Sequence, residues 1–196
     1  MDDEIQEEIP VILANEFDQR VASIFLPFDN YGNKTVSITD LPLIVRGLGC
    51  VPTEEELQFI ATKCTEREFP NIVHLAHFLP FMFEMILLGR FKPAAPELLL
   101  RGFQAIDVEN KGYLTPDYLK NLLTTQGEVL SEEEVSEFMR IAVDPSTGNI
   151  PFEFCVSKLK FIPKPLTDIY YLAKASMEEK PKTRRYSTYR QSVIQQ

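Results

Sequence analysis

Apolar residues recur along this chain at helical spacing, in blocks broken by short polar stretches. Four segments share one order: an apolar helical run, a polar stretch, one aliphatic residue, then a second apolar run. The polar stretches are FDNYGNKTVSITD from Phe28, TEREFPNIVHLAH from Thr65, IDVENKGYLTPDY from Ile106 and VDPSTGNIPFEF from Val143. Asp29 and Glu66 stand 37 residues apart, Asp107 and Asp144 stand 37 apart, and Asp29 and Asp107 stand 78 apart. A repeat of helix–loop–helix units, paired and then duplicated, accounts for all three spacings. The pattern therefore predicts an all-α chain of two lobes.

Helix starts agree with the repeat. Thr53 followed by Glu54-Glu55-Glu56 is a capping-box sequence, and Ser131 followed by Glu132-Glu133-Glu134 repeats it 78 residues later. Leu57, Ile60, Ala61 and Cys64 follow the first box at helical spacing, and Val135, Phe138, Met139 and Ala142 follow the second. Pro42, Pro116 and Pro151 stand where second helices should begin, in the first turn, where a missing N–H costs nothing. Pro80 falls deeper, so a kink is expected there. The chain divides into an acidic segment 1–14, a first lobe 15–88, a connector 89–96, a second lobe 97–162 and a C-terminal segment 163–196. The connector GRFKPAAP carries one glycine and two prolines, which predicts a bent join instead of one continuous helix. Leu166 to Met177 fits one more short helix, and the end from Lys180 reads as an extended tail.

These runs resemble a known family. RGLGCVPTEEELQFI (Arg46 to Ile60) is similar to the link between the first two EF-hands of calmodulin. IDVENKGYLTPDYL (Ile106 to Leu119) is similar to an EF-hand loop, with Gly112 at its sixth place and Leu114 at its eighth. The runs FLPFMFEMILLGRFKP and ELLLRGF and the shortened loop at Val143 resemble, within that superfamily, the small EF-hand subunits of the nexin–dynein regulatory complex of ciliary axonemes. The resemblance implies a calmodulin-like fold with a bent Pro/Gly connector and an extended tail. It also implies, as expectations, cytoplasmic placement in the cilium or flagellum axoneme, part of the cytoskeleton, and coiled-coil or helical partner subunits near doublet microtubules. In an EF-hand pair the eighth loop residues face each other, here Val36 with Val73 and Leu114 with Ile150.

A calcium loop draws oxygens from positions 1, 3, 5, 7, 9 and 12, the last normally a bidentate Glu, with Gly at position 6. Each loop here departs from that chemistry. The weak candidate ligands are Asp29, Asn33 and Asp40 in the first loop and Asp107 and Glu109 in the third. Tyr31 stands at position 3 of the first loop, Lys34 replaces its glycine, and Asp40 is one methylene shorter than Glu. The second loop has Pro70 at position 5 and His77 at position 12. Lys111 brings a cation into the third loop and Tyr118 ends it. The fourth loop is one residue short and closes on Phe154. The expectation is a chain that binds no calcium and needs no cofactor, each lobe being held by its helix core and strand bridge.

Charge changes the picture next. The formal net charge is −9, yet from Ser176 to Gln196 there are five basic and two acidic residues, so the tail is +3 and the rest −12. An acidic body does not suit nucleic acid. It suits basic partners, and the tail residues Lys182, Arg184, Arg185 and Arg190 suit an acidic surface, for which tubulin is the candidate in an axoneme. The most apolar run, Phe78 to Leu88, is too short for a bilayer and contains Glu84. The three cysteines form no CxxC pair, and His74, His77 and Cys64 do not complete a four-ligand zinc set. None of the GxSxG, P-loop, GxGxxG or HExxH motifs occurs, so no enzyme is indicated. Phe78, Phe81, Met82, Phe83, Met85 and Ile86 exceed what one buried stripe requires, and methionine suits adaptable grooves. The expected partner-binding residues are Phe78, Phe81, Met82 and Met85 in the first lobe, and Phe103, Leu122, Phe138 and Met139 in the second. The leading reading is a calcium-independent scaffold subunit whose lobes clasp helices. The alternatives are a calcium sensor with one or two residual loops and a motor light chain gripping a basic helix.

Overall fold

A computed structural model describes residues 9–159 and 168–178. Its elements run α1 (Glu16–Phe25), β1 (Thr35–Ser37), α2 (Leu41–Gly47), α3 (Glu54–Cys64), β2 (Ile72–His74), α4 (Leu75–Leu87), α5 (Pro96–Ile106), β3 (Tyr113–Leu114), α6 (Pro116–Thr125), α7 (Glu132–Ala142), β4 (Ile150–Pro151), α8 (Phe152–Leu159) and α9 (Ile169–Glu178). Short 3₁₀ turns, Leu26–Phe28 and Ile38–Asp40, bracket the first loop. Among the described residues, no helix is long and apolar enough to cross a membrane.

Local chemistry explains the boundaries. Both capping boxes form. Thr53 accepts the Glu56 amide while the Glu56 carboxylate accepts the Thr53 amide, and Ser131 and Glu134 do the same. Each box satisfies two N–H groups that the first turn leaves without intrahelical partners. Pro42 and Pro116 occupy first turns of α2 and α6 as expected. Pro151 differs: it closes β4, and α8 starts one residue later. Helix α4 runs unbroken through Pro80, the sixth of its 13 residues, lacking only the backbone bond that proline cannot donate. A strongly apolar helix tolerates that loss because its packing, not its ladder alone, holds it.

Two two-stranded antiparallel bridges form the centre of the helix pairs. Val36 pairs with Val73, and Leu114 with Ile150. All four side chains are buried, which suits aliphatic residues on a short strand.

The chain forms two units. Of the described residues, the first takes 9–92 together with 168–178, and the second takes 93–159. The C-terminal helix therefore belongs with the first lobe, although in sequence it follows the second. Its Ile169, Leu172 and Ala173 join the buried cluster that contains Phe17, Phe25, Ile44, Phe78 and Met82. The second unit has its own smaller cluster, with Leu114, Leu119, Ala142, Ile150, Phe152 and Cys155 at its centre.

Candidate helix-binding site

The four loops hold themselves closed with their own side chains. In the first, Asp29 Oδ1 accepts the amides of Tyr31 and Gly32, at 3.2 and 2.9 Å, and Oδ2 accepts the amide of Lys34 at 2.8 Å. Lys34 sits at φ 62°, a region that glycine enters freely and lysine only with strain. Asn33 Oδ1 accepts both the amide and the hydroxyl of Thr35. Asp40 is half-buried at the end of the 3₁₀ turn. In the second loop the first and twelfth residues meet directly, His77 Nε2 lying 2.7 Å from Glu66 Oε1. An ion would join those two positions in a calcium loop; here a hydrogen bond does.

In the third loop Asp107 is buried and its Oδ2 accepts the Gly112 amide at 2.8 Å. Glu109 pairs with the Lys111 ammonium, which holds the lysine pKa above its ordinary value. Tyr118, at the place of the bidentate Glu, donates its hydroxyl to the Ile106 carbonyl at 3.3 Å. In the fourth loop Asp144 accepts the amide and hydroxyl of Ser146 and the hydroxyl of Thr147. The Ser146 amide is the largest cause holding that carboxyl below its usual range, with the hydroxyls adding to it. Among the described residues, no group of three or more His, Cys, Asp or Glu side chains is placed to share a metal ion. The donor set does not fit a calcium cage, since no loop supplies a terminal Glu and the third places an ammonium among its acids.

The two lobes differ in how far their apolar grooves are filled, and the 78-residue repeat allows a comparison position by position. Some pairs match: Leu41 and Leu119, Leu57 and Val135, and Cys64 and Ala142 are all buried. At other positions they part. Phe25, Ile44 and Ile60 are 0% exposed, while their counterparts Phe103, Leu122 and Phe138 are half-buried. Ala61 is buried and its counterpart Met139 is half-buried. After the shortened fourth loop the offset becomes 77, and there Met82 is 0% exposed against 40% for Leu159. Every apolar residue of α5 retains some exposure.

The first lobe also takes in one more helix. Helix α9 lies against α1 and α4 and fills the groove between them. Its buried residues Ile169, Leu172, Ala173 and Ser176 follow the i, i+3, i+4, i+7 stripe of an amphipathic helix. The Tyr170 hydroxyl donates to the Arg90 carbonyl at 2.8 Å and lies 3.6 Å from Cys50 Sγ. Burial pushes the Cys50 thiol up to about 11, against the lowering effect of the Tyr170 hydrogen bond.

The expected partner-binding residues thus fall into two sets. Phe78, Phe81, Met82 and Met85 are all buried, in the cluster that includes α9. Phe103, Leu122, Phe138 and Met139 stay half-buried around the second groove, with Phe103 stacked on Phe152 at a ring separation of 5.6 Å. The surface around that groove is acidic: residues 93–159 carry eleven Asp or Glu against five Lys or Arg. Lys182, Arg184, Arg185 and Arg190 lie outside the described residues. Reading along the chain identifies a short helix after Leu166 but misses its docking. The available signal was its own amphipathic stripe, which requires an apolar face to cover it.

No family model matches this sequence. Dynein regulatory complex protein 8 of Mus musculus is 34% identical over 140 residues, covering 71% of this chain and 85% of that protein. The structure is similar to a Physarum polycephalum myosin II regulatory domain, with a TM-score of 0.57 and 29% identity over 73% of this chain and 93% of that chain. It is also similar to Mlc1p bound to IQ2 of Myo2p, a class V myosin, with a TM-score of 0.55 and 26% identity over 71% of this chain and 96% of that chain.

Proposed function

Because this chain belongs to the calmodulin-like EF-hand family that includes dynein regulatory complex protein 8, we propose that it is a non-catalytic structural subunit of the ciliary nexin–dynein regulatory complex, holding a helix of a partner subunit without calcium. The observation that carries this reading is the second lobe's groove. Phe103, Leu122, Phe138 and Met139 are half-buried there, where the repeat positions of the first lobe are buried. An amphipathic helix laid in that groove would cover them, and the acidic surroundings favour one with a basic polar face. Calcium independence rests on the donor chemistry: four loops close with hydrogen bonds or ion pairs among their own residues. The basic tail would add electrostatic hold on an acidic surface such as tubulin, and that hold would weaken with salt over a Debye length of about 8–10 Å.

The test is capture from solubilised axonemes by the full chain, in chelator and in millimolar calcium, with mass spectrometry of what is retained. The same coiled-coil or helical subunits of the regulatory complex should be retained in both buffers, and Phe138→Asp should lose them. Truncation after Glu179 should weaken retention and flatten its salt dependence. Capture only in calcium, with a saturable micromolar transition by calorimetry, would replace this reading with a calcium sensor. The similarity to a light chain seated on IQ2 supports a second reading, a motor light chain, which retention of a motor heavy chain would favour.

A further inference from the structure

The first lobe has a groove built like that of the second, and one of the chain's own helices fills it. Helix α9 is 10 residues long, and a helix of that length is marginal in water alone. Its order therefore comes from docking. The docked face is small: Ile169 and Leu172 are its large anchors, while Ala173 and Ser176 occupy the other stripe positions. The opposite face, with Tyr171, Lys174 and Met177, is exposed. Tyr170 fixes the seat from one side through the Arg90 carbonyl, with the Lys92 ammonium 5.9 Å from its ring centroid. The repeat supplies the control, since the corresponding positions of the second lobe keep their apolar side chains partly exposed.

We infer that α9 is a ligand carried in cis, a resident helix that holds the first lobe's groove against foreign helices and leaves partner capture to the second lobe. The groove's ligand class is an amphipathic helix with two large anchors and small residues one turn on. A foreign helix enters this lobe only by displacing α9. This holds whichever partner the second lobe takes, so it stands or falls apart from the axonemal reading.

The experiment uses the full chain and reads three thiols by timed alkylation and mass spectrometry. Cys50 lies beside Tyr170, Cys64 lies in the first lobe's core, and Cys155 lies in the second lobe's core; all three are buried. In the parent chain all three should react slowly. In Ile169→Glu/Leu172→Glu, which places charges on the docked face, Cys50 should react faster by on the order of ten-fold or more, while Cys64 and Cys155 stay protected. A synthetic peptide of residues 166–179 should restore Cys50 protection in the double variant, saturably, and change nothing in the parent. Three results would overturn the inference. Equal Cys50 rates in parent and double variant would mean α9 covers nothing. Cys64 opening together with Cys50 would make α9 a fixed wall of the core. Failure of the peptide to protect would mean the groove does not recognise the helix as a ligand.

Discussion

Replacing Phe103 by alanine should separate two contributions that Phe25 combines. The two phenylalanines occupy the same place in the repeat, on α1 and α5, but Phe25 is 0% exposed and Phe103 half-buried. Phe25 packs on Phe78 at 5.3 Å within a filled core, so Phe25→Ala should cost the first unit the roughly 3–5 kcal/mol of a buried phenylalanine. Phe103 keeps its stack on Phe152, so truncation still removes core contact, but less of it: about 1–3 kcal/mol. A phenylalanine buries on the order of 200 Å² when covered, and the part of Phe103 left open is on the order of 40 Å². At about 25 cal/mol per Å², covering it with a partner helix contributes about 1 kcal/mol, or about five-fold in affinity. The assay is thiol labelling of the full chain across a denaturant series, with Cys64 reporting the first unit and Cys155 the second, beside calorimetric titration with the captured partner helix. Phe25→Ala should lower the Cys64 midpoint and leave partner affinity within two-fold of the parent. Phe103→Ala should lower the Cys155 midpoint by less and weaken the partner about five-fold. If Phe103→Ala destabilises its unit as much as Phe25→Ala does, or leaves affinity unchanged, the second groove is not an open binding face.

Two further outcomes follow from local chemistry. Thr53→Ala and Ser131→Ala each remove the hydroxyl of a complete capping box and should each cost about 1 kcal/mol by denaturant titration, in the unit that carries the helix. The first unit should also lose stability as pH falls below 6.5. Burial is the largest cause lowering the His74 pKa, followed by the neighbouring His77, and neutral Nδ1 accepts the Ala76 amide at the start of α4. The unfolded chain therefore takes up a proton at higher pH than the folded one, so the folded state is favoured above 6.5 and loses ground as pH drops. His74→Asn, which keeps an acceptor without a titrating ring, should flatten that slope in melts followed from neutral pH downward.

What could be read along the chain was whatever is decided within a few residues. The capping boxes at Thr53 and Ser131 formed because each satisfies two amides of its own first turn. The strand partners Val36 with Val73 and Leu114 with Ile150 follow from the loop register, since pairing at one position of each loop leaves no other alignment. The loss of calcium ligands at His77, Lys111 and Tyr118, and of the loop glycine at Lys34, is equally visible from residue type and place. Pro151 shows the limit of such reading, because strand pairing outweighed its preference for a first helical turn by one residue.

Which groove stays open was not decided there. Phe25 and Phe103, Ile44 and Leu122, and Ile60 and Phe138 are the same kind of residue at the same repeat position, and periodicity treats each pair alike. Only the folded chain distinguishes them, and it also returns α9 across the whole second lobe in sequence to seat Ile169 and Leu172 against α1 and α4. That seating depends on the shape of a groove assembled from α1, α4 and the Arg90 carbonyl, with α1 ending 50 residues before α4 begins and the helix itself drawn from beyond the second lobe. The helical stripe on α9 says that some apolar face must cover it. Tertiary packing alone chose which one, because burial is non-directional and is settled by the surface that happens to fit.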